Sequence, residues 1–464
     1  MVESFIDGDP ERNYGVGYGT SHHNGDLKGV TKALPYIKSL GVNAVWLTPI
    51  FDSDAGTGKD PKLDATGYFA RDYFEIDPKF GSFDDAREMV KTAHDLGLYV
   101  FLDGVFGHHK GGAKSSPSGK TPSGPKEHVE YPGSLEFFQE VATYWIDELE
   151  IDGWRLDQAY QIPVQYLGEI RESVEKKCRE RKQQGKIWGT LGYMVAEVWN
   201  GEDEITKAAY GSSERVGLYS AFDFPMRYRL VGVLAAEENG SGGMPATVLA
   251  EGDGTRLKYP PHAIPNLMLT NHDLVRFGDL IQRAGYDGPE SEFYWRRHKA
   301  AFTFMAAKSG PITIYYGDEI GAEVPGFAEP EKDKCWEKGL CDDHVARTSG
   351  KISGFSEKEN DLRQFLTRLM QFREKRPALW KGDLHHVLVD KDVYVATKTF
   401  QDDLVLYALN ISRQTRTIEL PPNVVTADFK PAFENGARIT SDDAKIAVEL
   451  PALTGAFFVK TEQR

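Results

Sequence analysis

The chain has 464 residues and a net charge of −15, with no clustered run of Lys and Arg. That excludes nucleic acid and anionic membrane surfaces as partners, since both are held by clustered positive charge. No apolar stretch approaches the roughly 20 residues of a membrane span, no signal peptide is visible, and a chain of this length predicts two or three domains.

In chain order, "MVESF" and "NAVWLTPIF" (43–51) predict buried strands. "FDDAREMVKTAHDLG" (83–97) has helical spacing and a terminal glycine, and "YVFLDGVF" (99–106) is the next strand. "SLEFFQEVATYWIDELE" (134–150) predicts a helix with Ser134 as N-cap. "DGWRLD" then forms a strand, followed by a helix from about Val164 to Gln183. "YMVAEVW" (193–199), "GLYSAFDF" (217–224), "NLMLTNHD" (266–273) and "PITIYYGDE" (311–319) complete eight strands. Apolar strands alternating with helices mean a parallel sheet buried on both faces. Eight of them predict a (β/α)8 TIM barrel, and the phosphate-binding fingerprint of a doubly wound sheet is missing.

Two segments break the alternation. Residues 108–133 are rich in Gly, Ser, Pro and Lys and form a short insert after the third strand. From about Ala378, "DVYVATKTF", "DLVLYALNI" and "TRTIEL" alternate with polar turns, as short antiparallel strands do. The predicted domains are a barrel at 1–107 and 134–380, the insert at 108–133, and a C-terminal antiparallel β-sandwich at 381–464.

Active sites of such barrels lie at the C-terminal ends of the strands. Those ends carry Asp103 with His108 and His109, Arg155 with Asp157, Glu197, His272 with Asp273, and Asp318 with Glu319. A single strand-end Asp is commonly a loop cap. Arg155 and Asp157, two apart on a strand, share a face and could form a structural ion pair. Several carboxylates converging on one rim repel one another unless a chemistry uses them. Paired carboxyls with different proton affinities are the equipment of glycoside cleavage.

With these motifs in hand, the chain resembles the α-amylase family of glycoside hydrolases. "GWRLD", "AEVW", "TNHD" and "DGVFGHH" look like its nucleophile, acid, third-carboxylate and third-strand motifs. "GVNAVWLTPIF", "ATGYFARDYFEIDPKFGSFDD" and "GPITIYYGDEIG" match in order and spacing. The resemblance implies Asp157 as nucleophile, Glu197 as general acid/base and Asp273 as the third carboxylate. It implies that Arg155 keeps Asp157 charged, since a neighbouring cation favours a carboxylate. His108 and His272 would hydrogen-bond the cleaved sugar, and Tyr68 would stack on it or serve only as core. Asp343 and Arg347 resemble a sugar-gripping pair, or else an exposed i, i+4 pair.

The chain also departs from the family. Gly107 stands where an Asn commonly binds calcium, and near residues 20–29 only Asn24 and Asp26 could serve as ligands. No set of six to eight oxygens can be assembled, so no structural calcium, no other metal and no cofactor is expected. Gln158, Tyr160 and Gln161 replace the residues that usually follow the nucleophile, which weakens an ordinary endo-acting α-amylase reading. Met1 falls inside the family's usual first strand. A signal peptide lost with the missing residues would favour a periplasmic or secreted enzyme over a cytoplasmic one. Cys335 and Cys341 are close enough to bridge, and their spacing leaves the disulfide open.

The expected function is a retaining hydrolase of α-glucans or malto- and isomalto-oligosaccharides. The alternatives are a transglycosidase or isomerase of the same family and, more remotely, a non-catalytic carbohydrate-binding relative.

Overall fold

The computed structural model describes residues 1–13, 20–53, 66–327, 344–421, 429–433, 435–442 and 445–460. The chain divides into two compact units. The first is Met1–Phe222 with Tyr259–Ile264 and Arg347–Ser353; the second is Asp223–Lys258 with Pro265–Ala346 and Gly354–Arg464.

In the first unit the alternation of apolar runs and amphipathic helices becomes a parallel sheet. Its strands are β1 (Ala44–Leu47), β4 (Tyr99–Gly104), β5 (Gly153–Leu156), β6 (Tyr193–Ala196) and β7 (Ser220–Phe222), adjacent in that order. The connecting helices include α1 (Leu27–Ser39), α2 (Phe83–Asp95), α3 (Leu135–Leu149) and α4 (Val164–Gln183). Helix α2 starts on a capping box in which the Ser82 and Asp85 side chains satisfy each other's backbone N–H groups. Ser134 does occupy the N-cap position of α3, but it makes no side-chain cap bond. Its hydroxyl donates to the Ser123 carbonyl instead, tying the helix start to the insert.

One predicted strand is absent. Met1–Phe5 is a buried turn: the Val2 N–H donates to Thr48 Oγ1 at 2.9 Å and the Phe5 N–H to the Val2 carbonyl at 3.2 Å. The first goes to a side chain and the second to a turn carbonyl, so neither joins a ladder. The sequence reading also passed over a small antiparallel pair, β2 (Phe51–Asp52) with β3 (Asp72–Ile76).

The second unit carries the parallel pair β8 (Ile264–Met268) and β9 (Ile312–Thr313) with helices α5 (Phe224–Leu234), α6 (Thr247–Arg256), α7 (Phe277–Arg283), α8 (Glu292–Ala306) and α9 (Glu357–Glu374). Its C-terminal strands form a five-stranded and a three-stranded antiparallel sheet. Period-2 alternation decides what each face does. Val393 and Val395 join Leu406, Ala408, Ile418, Val448 and Phe458 between the two sheets. The intervening Tyr394 and Ala396, with Tyr407 and Phe457, pack against Phe304, Phe365 and Leu369 of α8 and α9. No helix among the described residues is long and apolar enough to cross a membrane.

The strand "GWRL" is buried at every position. Trp154 turns to the helices, where its indole N–H donates to the Ala142 carbonyl at 3.1 Å, and Arg155 turns the other way. Gly153 permits the close approach of β6: a methyl group there would sit 1.9 Å from the Tyr193 carbonyl oxygen. Gly153→Ala is therefore expected to lower stability by about 3 kcal/mol or more, among the larger single-residue effects, read as a drop in the urea unfolding midpoint.

Candidate functional site

The ends of β4, β5 and β6 converge on one buried guanidinium. The register pairs Asp103 with Arg155 and Arg155 with Val195 across the three strands. Arg155 Nη1 donates to Asp103 Oδ1 at 2.8 Å, to Asp103 Oδ2 at 2.9 Å and to Asp157 Oδ1 at 2.8 Å. Nη2 lies 2.8 Å from Glu197 Oε2. Burial disfavours the charge on Arg155, but the surrounding carboxylates, Asp103 and Glu197 foremost, hold it well above the ordinary arginine range. Burial likewise raises the Asp103 carboxyl, against the opposing pull of Arg155.

The residues after β5 complete the local frame. The Asp157 N–H donates to the Gly104 carbonyl at 3.0 Å, and the Glu197 N–H to the Leu156 carbonyl at 2.9 Å, so both strand ladders continue into the site. Gln158 has φ +40° and ψ 49°, a left-handed turn that brings its N–H to 2.9 Å from Glu197 Oε2. Asp157 Oδ2 is buried and has no hydrogen-bond partner among the described residues. His108 Nε2 lies 4.0 Å from it, beyond hydrogen-bond reach. The His108 ring packs on Phe69, and its carbonyl accepts from the Tyr73 hydroxyl at 2.7 Å.

Tyr68 is 8% exposed, and its hydroxyl donates to Asp103 Oδ2 at 2.8 Å. The first unit thus brings together Tyr68, His108, Arg155, Asp157 and Glu197. In the second unit, His272 and Asp273 follow β8 as a pair, with Nε2 3.1 Å from Asp273 Oδ2. The Asp273 N–H donates to Asn271 Oδ1 at 2.8 Å. Arg347 is buried in the first unit, which excludes the exposed-pair reading for it. Asp343, Cys335 and Cys341 lie outside the described residues. Asp318 is buried, ion-paired with Arg276 at 3.8 Å and bonded by the Thr270 hydroxyl, while Glu319 accepts from the Gly317 N–H at 2.6 Å.

Sequence reasoning missed the place of Asp103 as the principal partner of Arg155, although its signal, a carboxylate closing the third strand, was in view. It also missed that Gln161 fills the space above Gly107: a methyl group at 107 would lie 2.1 Å from Gln161 Oε1.

That packing bears on calcium. Gly107 offers no ligand, and the volume beside it is taken by a carboxamide already bonded to His108 Nδ1 at 3.0 Å. Asp26 is equally committed, accepting from the N–H groups of Gly8, Asp9 and Gly29 at 3.0, 2.8 and 2.7 Å as the cap of α1. The residues at these two positions do not fit a calcium ion. No cluster of three or more His, Cys, Asp or Glu suited to a metal occurs among the described residues.

Comparison with known proteins follows the same lines. A family model described as the catalytic domain of α-amylase matches residues 1–116 and 132–385. A cyclomaltodextrinase from Geobacillus thermopakistaniensis (strain MAS1) is 28% identical over 93% of this chain and 70% of its own length. Neopullulanase 2 from Thermoactinomyces vulgaris is 28% identical over 86% of this chain and 65% of its own length. The chain therefore spans about two thirds of these relatives. The solved structure of AmyP in complex with maltose has a TM-score of 0.95 at 48% identity, covering 99% of this chain and 95% of that one. An AmyP variant in complex with maltotriose has a TM-score of 0.96 at 47% identity. By the family match and these likenesses the chain has the (β/α)8-barrel fold followed by an antiparallel β domain; among the described residues seven parallel strands are present, the Met1–Phe5 turn standing where the first was expected.

Removing one partner of a buried ion pair leaves the other charge uncompensated. Asp103→Asn is accordingly expected to destabilise the chain by about 3–5 kcal/mol, measured as the change in unfolding free energy in urea.

Proposed function

The chain belongs to the α-amylase family of glycoside hydrolases, and we propose that it cleaves α-glucosidic bonds of malto-oligosaccharides and related α-glucans with retention of configuration. The observation that carries this reading is the Arg155 guanidinium joining Asp157 and Glu197 from adjacent strands, with Asp157 Oδ2 left without a hydrogen-bond partner among the described residues. The AmyP complexes with maltose and maltotriose support the substrate class.

In this mechanism Asp157 Oδ2 attacks the anomeric carbon while Glu197 gives its proton to the departing glycosidic oxygen. A glycosyl ester on Asp157 results. Glu197, now a carboxylate, takes a proton from water, and the hydroxide attacks the same carbon to release the sugar and Asp157. Arg155 holds Oδ1 of the nucleophile, so the reacting oxygen is fixed without being blocked. Tyr68 walls the site as an aromatic platform, and His108 meets a sugar hydroxyl. Asp273, with His272, would hold sugar hydroxyls and favour the distorted ring, and Arg347, with Asp343, would grip the sugar from its far side. None of these steps calls on a metal.

Asp157→Asn is expected to lower kcat on maltotriose by about 1,000-fold or more, the scale for loss of a covalent nucleophile. Proton NMR of the first product should show the α-anomer; a net β-product would overturn double displacement. Prolonged dialysis against a strong chelator is expected to leave kcat and the melting temperature unchanged, and a loss restored by added calcium would contradict the metal-free reading.

A further inference from the structure

The departure at Gly107 and the departure at Gln161 are one feature. The Gln161 side chain sits where any side chain at position 107 would begin: a Cβ there would meet Gln161 Oε1 at 2.1 Å and Gln161 Cβ at 2.6 Å. From this seat the carboxamide makes two contacts. Its Nε2 donates to Gln158 Oε1 at 3.3 Å, and its Oε1 faces His108 Nδ1 at 3.0 Å. Gln158 Oε1 also accepts from the Tyr160 hydroxyl at 2.7 Å. An amide nitrogen can only donate, so the Gln158 contact turns the Gln161 oxygen toward the imidazole.

An oxygen at that point needs a proton on Nδ1. The ring nitrogen that is fixed by a partner determines what the other can do. With the proton on Nδ1, the neutral imidazole presents Nε2 as an acceptor toward Asp157 Oδ2, 4.0 Å away. With the proton on Nε2 instead, a small ring movement would let His108 donate to that oxygen and occupy the lone pair needed for attack. The groups facing His108 are Asp157, Gln161, Phe69 and the neighbouring His109; among these, Gln161 supplies the hydrogen bond to Nδ1.

We infer that Gln161, admitted by the missing side chain of Gly107, is a positioning residue that sets the His108 tautomer and so keeps the nucleophile oxygen available. The inference rests on the hydrolase reading above for the role of Asp157. Gln161 touches no reacting atom in it and acts only through the imidazole.

The test combines a spectroscopic signature with a double-mutant cycle. In histidine-selective 15N spectra of the full chain, with His108 assigned by its loss in His108→Ala, the wild type is expected to show a protonated Nδ1. Gln161→Leu should give a mixture of tautomers or an Nε2 proton. On maltotriose, Gln161→Leu is expected to lower kcat about tenfold with KM within about twofold, the pattern of an interaction that matters to the transition state. Gly107→Ala should reproduce this loss, because its methyl group displaces the carboxamide, and Gln161→Glu, which keeps an acceptor at Nδ1, should recover most of it. In the His108→Ala background, Gln161→Leu should cost less than about twofold in kcat/KM, since the effect has lost its carrier.

An equal loss in both backgrounds would overturn the inference, as would an Nε2-protonated His108 in the wild type. A fully active Asp157→Asn would instead overturn the hydrolase reading and leave the tautomer result standing.

Discussion

A guanidinium cut off from water must be neutralised where it lies, and the candidate site is built on that requirement. Arg155 is 0% exposed, and carboxylates from the ends of three adjacent strands close around it. Desolvating an ion costs several kcal/mol, and misalignment would leave that cost uncovered. The register Asp103↔Arg155↔Val195 is therefore more than backbone pairing. A slip of one residue would turn Arg155 toward Trp154's apolar side and strand Asp103 without its cation. One arginine thus holds three strand ends in register and divides the carboxylates by role. Asp103 accepts from Nη1 with both oxygens, while Asp157 accepts with Oδ1 alone and keeps Oδ2 unengaged among the described residues.

The surrounding shell works by filling space as much as by charge. Tyr68 ties its hydroxyl to Asp103 and lies with its ring 5.8 Å from the Arg155 guanidinium carbon, while Trp46 approaches the same group to 5.2 Å. These rings exclude water and so strengthen every ionic contact they enclose. Gly107 and Gln161 follow the same logic one layer out. A residue without a side chain yields its volume to a longer neighbour, and the neighbour spends two hydrogen bonds that a solvent-filled gap would have spent on water.

Much of this was legible in the sequence because the signals were periodic or chemical. The helices at 83–97, 134–150 and 164–183 announce themselves by spacing, and α4 runs Val164–Gln183 as expected. Arg155 and Asp157 were readable as a same-face pair because a strand alternates. The N-terminal strand was misread for an equally physical reason. "MVESF" is apolar enough to be buried, and it is, but burial does not specify whether its N–H groups go to a ladder or to the Thr48 hydroxyl. The contact between Gln161 and Gly107 was not legible either. Each looked like an isolated departure, and only the left-handed Gln158, which redirects the chain just after β5, brings Gln161 back over β4's end.

The geometry of a parallel sheet argues for the stereochemical course. Leu156 and Ala196 are register partners on adjacent strands, so the next residues, Asp157 and Glu197, leave the sheet side by side. Adjacent strands run about 4.8 Å apart, close to the roughly 5–5.5 Å between the carboxyls of a retaining glycosidase. An inverting enzyme needs about 6.5–9.5 Å, enough to admit a water between the two groups, and would more naturally draw its carboxylates from strands that are not neighbours. Here the Gln158 N–H and the shared Arg155 clamp Glu197 toward the strand of Asp157, and the Ala159 N–H donates to the Glu197 carbonyl at 2.9 Å. The strand spacing therefore supports the proposed attack by Asp157 itself over attack by a water held between the carboxylates.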